Sequence, residues 1–295
     1  MQLPTNTLES APVLDHVDTR IPAEVEKAVY EVYARLFPDG DQSFVPRAFE
    51  WARQCFSGRY DDYQAIDARY HDFEHTLQGT LCLARLLAGR YAAKAEPVIP
   101  RKGFELCLLA ILFHDTGYLK KRTDNSGTGA KYTAVHVERS VAFARQFLAA
   151  QGYRDEDLDA VANMIRCTGV AANVKALPFR NEIDRILGYA LGTADLLGQM
   201  AARDYIDKLP VLFTEFAEAA DTDKENGGRF AQYKTAEDVV RGTPFFWSDY
   251  AWPRINEDFR RLYSFLNDPI PNGPNPYLLG VQKNLARLQE HLKQT

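Results

Sequence analysis

Apolar residues recur along most of this 295-residue chain at intervals of three and four, the period of helices with one buried face. Val25, Val29, Val32 and Leu36 predict a first helix, opened by Pro22 and closed by Pro38-Asp39-Gly40. A short second helix is predicted over 45–56. Leu77, Leu81, Ala84 and Ala88 mark a third stripe that closes near Gly89. Residues 104–113 are apolar on nearly every side, which predicts a helix buried in the middle of the domain. Val137, Val141, Ala144 and Leu148 predict the next helix, Leu158, Val161 and Ile165 another, and Ile183, Leu187, Ala190, Ala194 and Leu197 a long one. Further helices are expected over 209–219 and 252–266. A last stripe (Leu278, Val281, Leu285, Leu288, Leu292) covers too few heptads for a coiled coil and should pack on its own domain. No stretch alternates with the period of a strand, so the expected fold class is all-α.

Residues 1–20 read as a loose arm. Residues 124–133, with Ser126, Gly127 and Gly129, read as a mobile loop and at most a lid, since no strand precedes the glycines. A Pro-rich link covers 268–276. The expected organisation is one helical core over 21–205 with a helical extension over 206–295 packed on it.

Composition narrows the classes. Hydrophobic residues are 46% and charged residues 25%, as in ordinary soluble domains and unlike disordered chains. Net charge is 35 − 40 = −5, which leaves no bulk basic field for nucleic acid. The longest apolar run, 106–113, is too short to cross a bilayer. Cys55, Cys82, Cys107 and Cys167 form no CxxC pair and read as reduced core thiols. The first residues show neither the basic nor the apolar part of a signal peptide, so a cytoplasmic setting is expected.

The chain has six histidines, and four of them, His71, His75, His114 and His136, fall between residues 71 and 136. Three groups stand in order: Tyr70-His71-Asp72-Phe73-Glu74-His75, then His114-Asp115, then His136-Val137-Glu138. Asp195 follows. Imidazole nitrogens and carboxylate oxygens make a mixed ligand set for a borderline divalent metal. On a helix His71 and His75 would share a face. His114 and Asp115 can both point at one ion where a helix ends, and Thr116-Gly117 offers that end. Asp195 sits on the apolar face of Leu187 and Leu191, where a carboxylate needs either a metal or a buried Arg or Lys.

A histidine, then His-Asp, then a distant Asp on a helical chain resembles the HD-domain superfamily of metal-dependent phosphohydrolases. The resemblance covers roughly residues 60–205, with Phe113-His-Asp-Thr-Gly117 as the central motif. It implies that His75, His114, Asp115 and Asp195 bind one or two divalent ions of unspecified identity (Mn, Mg, Fe, Co, Ni or Zn). It further implies that a metal-bound hydroxide hydrolyses a phosphoester, a nucleotide or related small phosphate. Tyr70-His71-x-x-x-His75 is similar to a segment of cyclic-nucleotide phosphodiesterases, which implies a general-acid role for His71 beside Asp115. The Gln that holds the base in those enzymes has no counterpart next to the aromatic cluster here, so cyclic-nucleotide specificity is not expected.

Softer candidates surround these. His136 and Glu138 read equally as a further ligand or water-holding pair and as a solvated helix start. Lys120, Lys121 and Arg122, with Arg203 and Lys208, are candidates for phosphate contact or for plain solvation. Phe245, Phe246, Trp247, Tyr250 and Trp252 read as a plug closing the C-terminal helices, with a base-stacking wall as the other reading. Two other functions fit the same ligands: a di-iron oxygenase similar to myo-inositol oxygenase, which needs more histidines than His136 alone, and a regulatory module with an idle metal site. The expected partner is a small phosphorylated substrate, with neither a membrane nor bulk nucleic acid, and the oligomeric state is not legible.

Overall fold

Helices form over most of the stretches where the apolar period predicts them. Among the described residues the only β pairing is two isolated bridges, Ser57–Ala65 and Tyr63–Lys121. The computed structural model describes residues 17–222, 224 and 227–294, so the arm expected over 1–20 lies outside the described residues up to position 16. Positions 17–20 are tied down, with Asp18 N donating to Glu24 at 2.8 Å.

The first half of the bundle comprises α1 (Pro22–Leu36), α2 (Phe44–Phe56), α3 (Phe73–Ala92), α4 (Arg101–Phe113) and α5 (His136–Ala150). The second comprises α6 (Asp155–Arg166), α7 (Glu182–Met200), α8 (Tyr205–Thr222), α9 (Ala236–Phe245) and α10 (Pro276–Gln294). The apolar run on α4 is buried from Leu106 through Phe113, with α2, α3, α6 and α7 packed around it. Burying each such Leu, Ile or Phe stabilises the fold by about 1.5–3 kcal/mol, so α4 anchors whatever its C-terminus carries.

Two glycines set the crossing of α3 and α7. A Cβ on Gly198 would lie 2.8 Å from the backbone of Gln78 and Gly79, so the helices meet backbone to backbone. That contact sits one turn beyond His75 on α3 and one turn beyond Asp195 on α7, and it brings those residues together.

The four cysteines are free and buried. Val281 and Leu288 of α10 are buried, with Leu278, Leu285 and Leu292 packed against the same core, so this stripe joins its own domain. No helix of the described residues is long and apolar enough to cross a membrane.

Three elements depart from expectation. Helix α3 runs past Gly89, which marks a close approach: a Cβ there would overlap the Phe265 carbonyl oxygen. No continuous helix covers 252–266. Instead the unforeseen α9 runs into two wide π turns, Phe246–Ala251 and Arg254–Asp258, and a tight turn at Leu262–Leu266. Pro244 and Pro253 lie in this stretch, and each removes an N–H from the helical ladder. The Gly-rich segment 124–133 is a folded unit containing a short 3₁₀ turn, Gly129–Tyr132. Asp124 accepts from Lys131 Nζ at 2.5 Å and Tyr132 OH at 2.6 Å, and Gly129 N donates to Asp67 at 2.7 Å.

Candidate functional site

His75 lies in the first turn of α3, where Asp72 caps the helix by accepting from the His75 N–H at 2.9 Å. His71 therefore does not share a helix with His75; it precedes the cap. His114 ends α4, and its Nδ1 faces the Ile111 carbonyl at 2.7 Å. That bond places the ring proton on Nδ1 and leaves Nε2 as an acceptor. Asp115 follows in a 3₁₀ turn, Thr116–Tyr118. The turn contains no left-handed glycine cap. Gly117 is there for another reason: a Cβ would lie 2.0 Å from the His136 carbonyl oxygen. Arg139 clamps the turn through the Gly117 and Leu119 carbonyls at 2.7 and 3.0 Å.

The outcome is an alternating ring of nitrogen and oxygen. His75 Nε2 stands 3.3 Å from both Asp115 Oδ2 and Asp195 Oδ1. His114 Nε2 stands 3.2 Å from Asp115 Oδ2 and 3.4 Å from Asp195 Oδ1. His114 Nε2, Asp115 Oδ2 and Asp195 Oδ1 are buried without a hydrogen-bond partner, an expensive state for polar atoms unless something else binds them. A flat ring with such edges has its centre about 2.3 Å from each atom, and closer if puckered, which is the bond range of small divalent ions. The donor set therefore fits such an ion. Asp195, 8% exposed, meets these histidines and no Lys or Arg among the described residues. Burial opposes the charge on His75, but the Asp115 and Asp195 carboxylates outweigh it and hold the imidazole up to about 9. Both carboxyls are likewise held below their usual range by the histidines, against the pull of burial. Protons and a cation thus compete for the same lone pairs.

Beside the ring, His71 Nδ1 meets Glu215 Oε2 at 2.6 Å, and Glu215 Oε1 accepts from the Tyr70 N–H at 2.7 Å. Burial works against the Glu215 charge, yet His71 and the backbone N–H groups hold its carboxyl below the ordinary range. The His71 ring stacks on Tyr118 at 4.6 Å, and Tyr118 stacks in turn on His136 at 4.7 Å. His136 Nε2 lies 3.8 Å from Asp115 Oδ1, while its Nδ1 faces the Thr133 carbonyl at 2.7 Å. Burial pushes His136 down to about 4, so it is neutral and offers a lone pair.

Glu215 was not among the candidates, and it belongs to the extension rather than the core. Its signal was available: it sits on α8 between Leu212 and Ala219 at helical spacing, a carboxylate on an apolar face just as Asp195 is.

The other candidates lie elsewhere. Lys120, 5% exposed, pairs with Asp67 at 2.9 Å and donates to the Gly127 carbonyl at 2.6 Å. Lys121 covers the Tyr63 ring at 3.7 Å, and Arg122 donates to the Gly58 carbonyl. None of these three lines the central chamber, nor does Arg203. Lys208 is taken by Glu74 and Asp204. Glu138 reaches the chamber wall, where both its oxygens accept from Arg166, at 2.8 Å each.

Above the ring opens a chamber of about 570 Å³. Its floor carries the metal-ligand candidates, and its roof is α8, the turn at 227–232 and α9. Phe216 stacks on Phe230 at 4.7 Å and on Tyr233 at 5.3 Å. From the aromatic run only Phe246 lines the chamber, while Phe245 is 65% exposed and turned away. Gln232 lines the same chamber as Phe246, so the fold joins a glutamine and an aromatic that the sequence keeps apart.

Among known proteins, a family model described as Npun_R2479-like matches residues 121–266. That stretch contains His136, Asp195, Glu215 and the roof, but not His75, His114 or Asp115. No curated protein matches the chain.

Proposed function

We propose that this chain is a metal-dependent phosphohydrolase acting on a small phosphoester, a reading in line with its resemblance to the HD-domain superfamily. The observation that carries it is the ring of His75, Asp115, His114 and Asp195 with three orphaned buried atoms, at the floor of a chamber and beside a histidine whose far nitrogen is engaged by Glu215. A divalent ion held there would supply a Lewis acid for a phosphoryl oxygen and lower the pKa of water.

The chain's own residues supply the rest. Glu215 accepts from His71 Nδ1 and fixes the ring, which leaves Nε2 as the atom that can pass a proton to a leaving oxygen. The stack on Tyr118 keeps the ring from turning. His136, neutral and facing Asp115, is the further imidazole at the ring and the natural partner of Asp115 Oδ1 should a second ion bind. A di-iron oxygenase would require more histidines than this.

The test is elemental analysis together with a panel of phosphodiesters, monoesters and nucleoside triphosphates across divalent metals. The expected result is bound metal with turnover of at least one ester, and loss of both in Asp115→Ala with the helical circular-dichroism signal retained. A metal-loaded protein that hydrolyses none of the panel overturns the reading.

A further inference from the structure

We propose that the chamber selects a singly charged phosphodiester bearing an apolar group and rejects nucleoside triphosphates and other polyphosphates. The inference rests on the metal-dependent reading above and deepens it, from phosphate chemistry in general to one ligand class.

The first argument is charge. Besides the histidines, the one cation among the described residues that line the chamber is Arg166, and Glu138 neutralises it through two hydrogen bonds of 2.8 Å. Asp115 and Asp195 cancel the charge of one divalent ion, and His71 with Glu215 contributes no net positive charge. The lysines and arginines that might have met phosphates, Lys120, Lys121, Arg122 and Lys208, are turned to other partners. A nucleoside triphosphate brings about four negative charges near neutral pH, whereas a diester brings about one. The described residues of the chamber offer no unpaired cation to compensate the former.

The second argument is polarity. The roof facing the ring is Leu209, Leu212 and Phe216 of α8 with Val239 and Phe246 of the α9 stretch. Three hydroxyls of the wall are spent on their own backbone: Thr133 donates to Ala130 O, Thr168 to Ile165 O and Thr243 to Val239 O. Among the described residues, the polar side chains left to the chamber are few: Gln232 and Tyr233 at the roof, with Asn173 and Gln199 on the wall. A base and a sugar carry several hydrogen-bonding groups, and each one buried without a partner weakens binding about tenfold. An aryl or alkyl group incurs no such loss and gains from the apolar surface.

The test is calorimetric titration of the metal-loaded full chain with four probes. Diphenyl phosphate is singly charged and apolar, dimethyl phosphate is singly charged and small, a cyclic nucleotide is singly charged and polar, and ATP is highly charged. Diphenyl phosphate should bind at least about tenfold tighter than dimethyl phosphate or the cyclic nucleotide, with no heat from ATP at the same concentration. Phe216→Ala should erase about a tenfold share of the diphenyl phosphate affinity and leave dimethyl phosphate affinity and metal content unchanged. Leu212→Ser serves the same purpose should the first variant not fold. ATP or the cyclic nucleotide binding as tightly as diphenyl phosphate overturns the inference, as does equal affinity for the two diesters. Tight diphenyl phosphate binding with no ester hydrolysed supports the ligand class while removing the hydrolase reading, so the two failures are distinct.

Discussion

Asp195 and Glu215 are both carboxylates on apolar helix faces, yet they are satisfied differently. Asp195 faces two imidazole nitrogens across the ring, and its Oδ1 has no hydrogen bond. Glu215, 2% exposed, accepts from His71 and the Tyr70 N–H. Their loss should therefore look different. For the metal-dependent hydrolase proposed above, Asp195→Asn removes a charged donor of the ring, and elemental analysis of the purified variant is expected to show loss of bound metal. Glu215→Gln keeps the shape and removes the carboxylate that orients the His71 ring. Metal content should stay, while kcat falls by roughly a hundredfold, read by steady-state kinetics beside elemental analysis. The ring was legible in the sequence because its letters are rare and ordered: His75, His114-Asp115, Asp195. Glu215 was not, because it stands 144 residues from the His71 it serves, and one Glu among many announces nothing without its partner.

At the scale of elements, backbone contact sets the site's dimensions. A Cβ on Gly198 has nowhere to go but into the backbone of α3, so Gly198→Ala should push α7 off α3 and part Asp195 from His75. Urea unfolding should show a loss of about 1–3 kcal/mol, accompanied by weaker metal binding in a titration. The segment 124–133 makes a pH prediction. Lys131, then Tyr132 and Ser126, hold the Asp124 carboxyl well below its ordinary value. Its stabilising contribution is present in full above the unfolded carboxyl's pKa and is lost as pH falls through the lower folded value. Protection of the amides in this segment, measured against their intrinsic exchange rates, should fall below about pH 4, before protection in α4 does. Regular helices were legible from their apolar period. The segment 124–133 was not, since its order comes from Asp67, Asp124 and Glu218, the last accepting from the Thr128 N–H and hydroxyl, rather than from pattern. The stretch after Pro244 was not legible either, because π turns share the composition of helices.

At the scale of the molecule, a ligand that binds only the folded ring must stabilise the whole fold, since its donors come from α3, α4 and α7 together. Saturation at a hundred times the dissociation constant is worth about 2.7 kcal/mol. Scanning calorimetry should therefore show a higher midpoint with added divalent metal, reversed by chelator and absent in Asp195→Asn. The all-α class, the buried α4 and the docking of α10 could be read from periodicity. The division of labour between 21–205 and 206–295 could not, because the extension looks like a mere appendage until Glu215 is seen against His71.

The placement of Glu215 on α8 has a mechanical consequence. The same helix carries Leu209, Leu212 and Phe216 on the roof, so the roof and the partner of His71 are not independent parts. Were α8 to lift, the chamber would open and the carboxylate that orients His71 would leave with it, while the floor would keep all four ring donors. For the hydrolase proposed above, such coupling would be an interlock: a chamber open to water would also be disarmed.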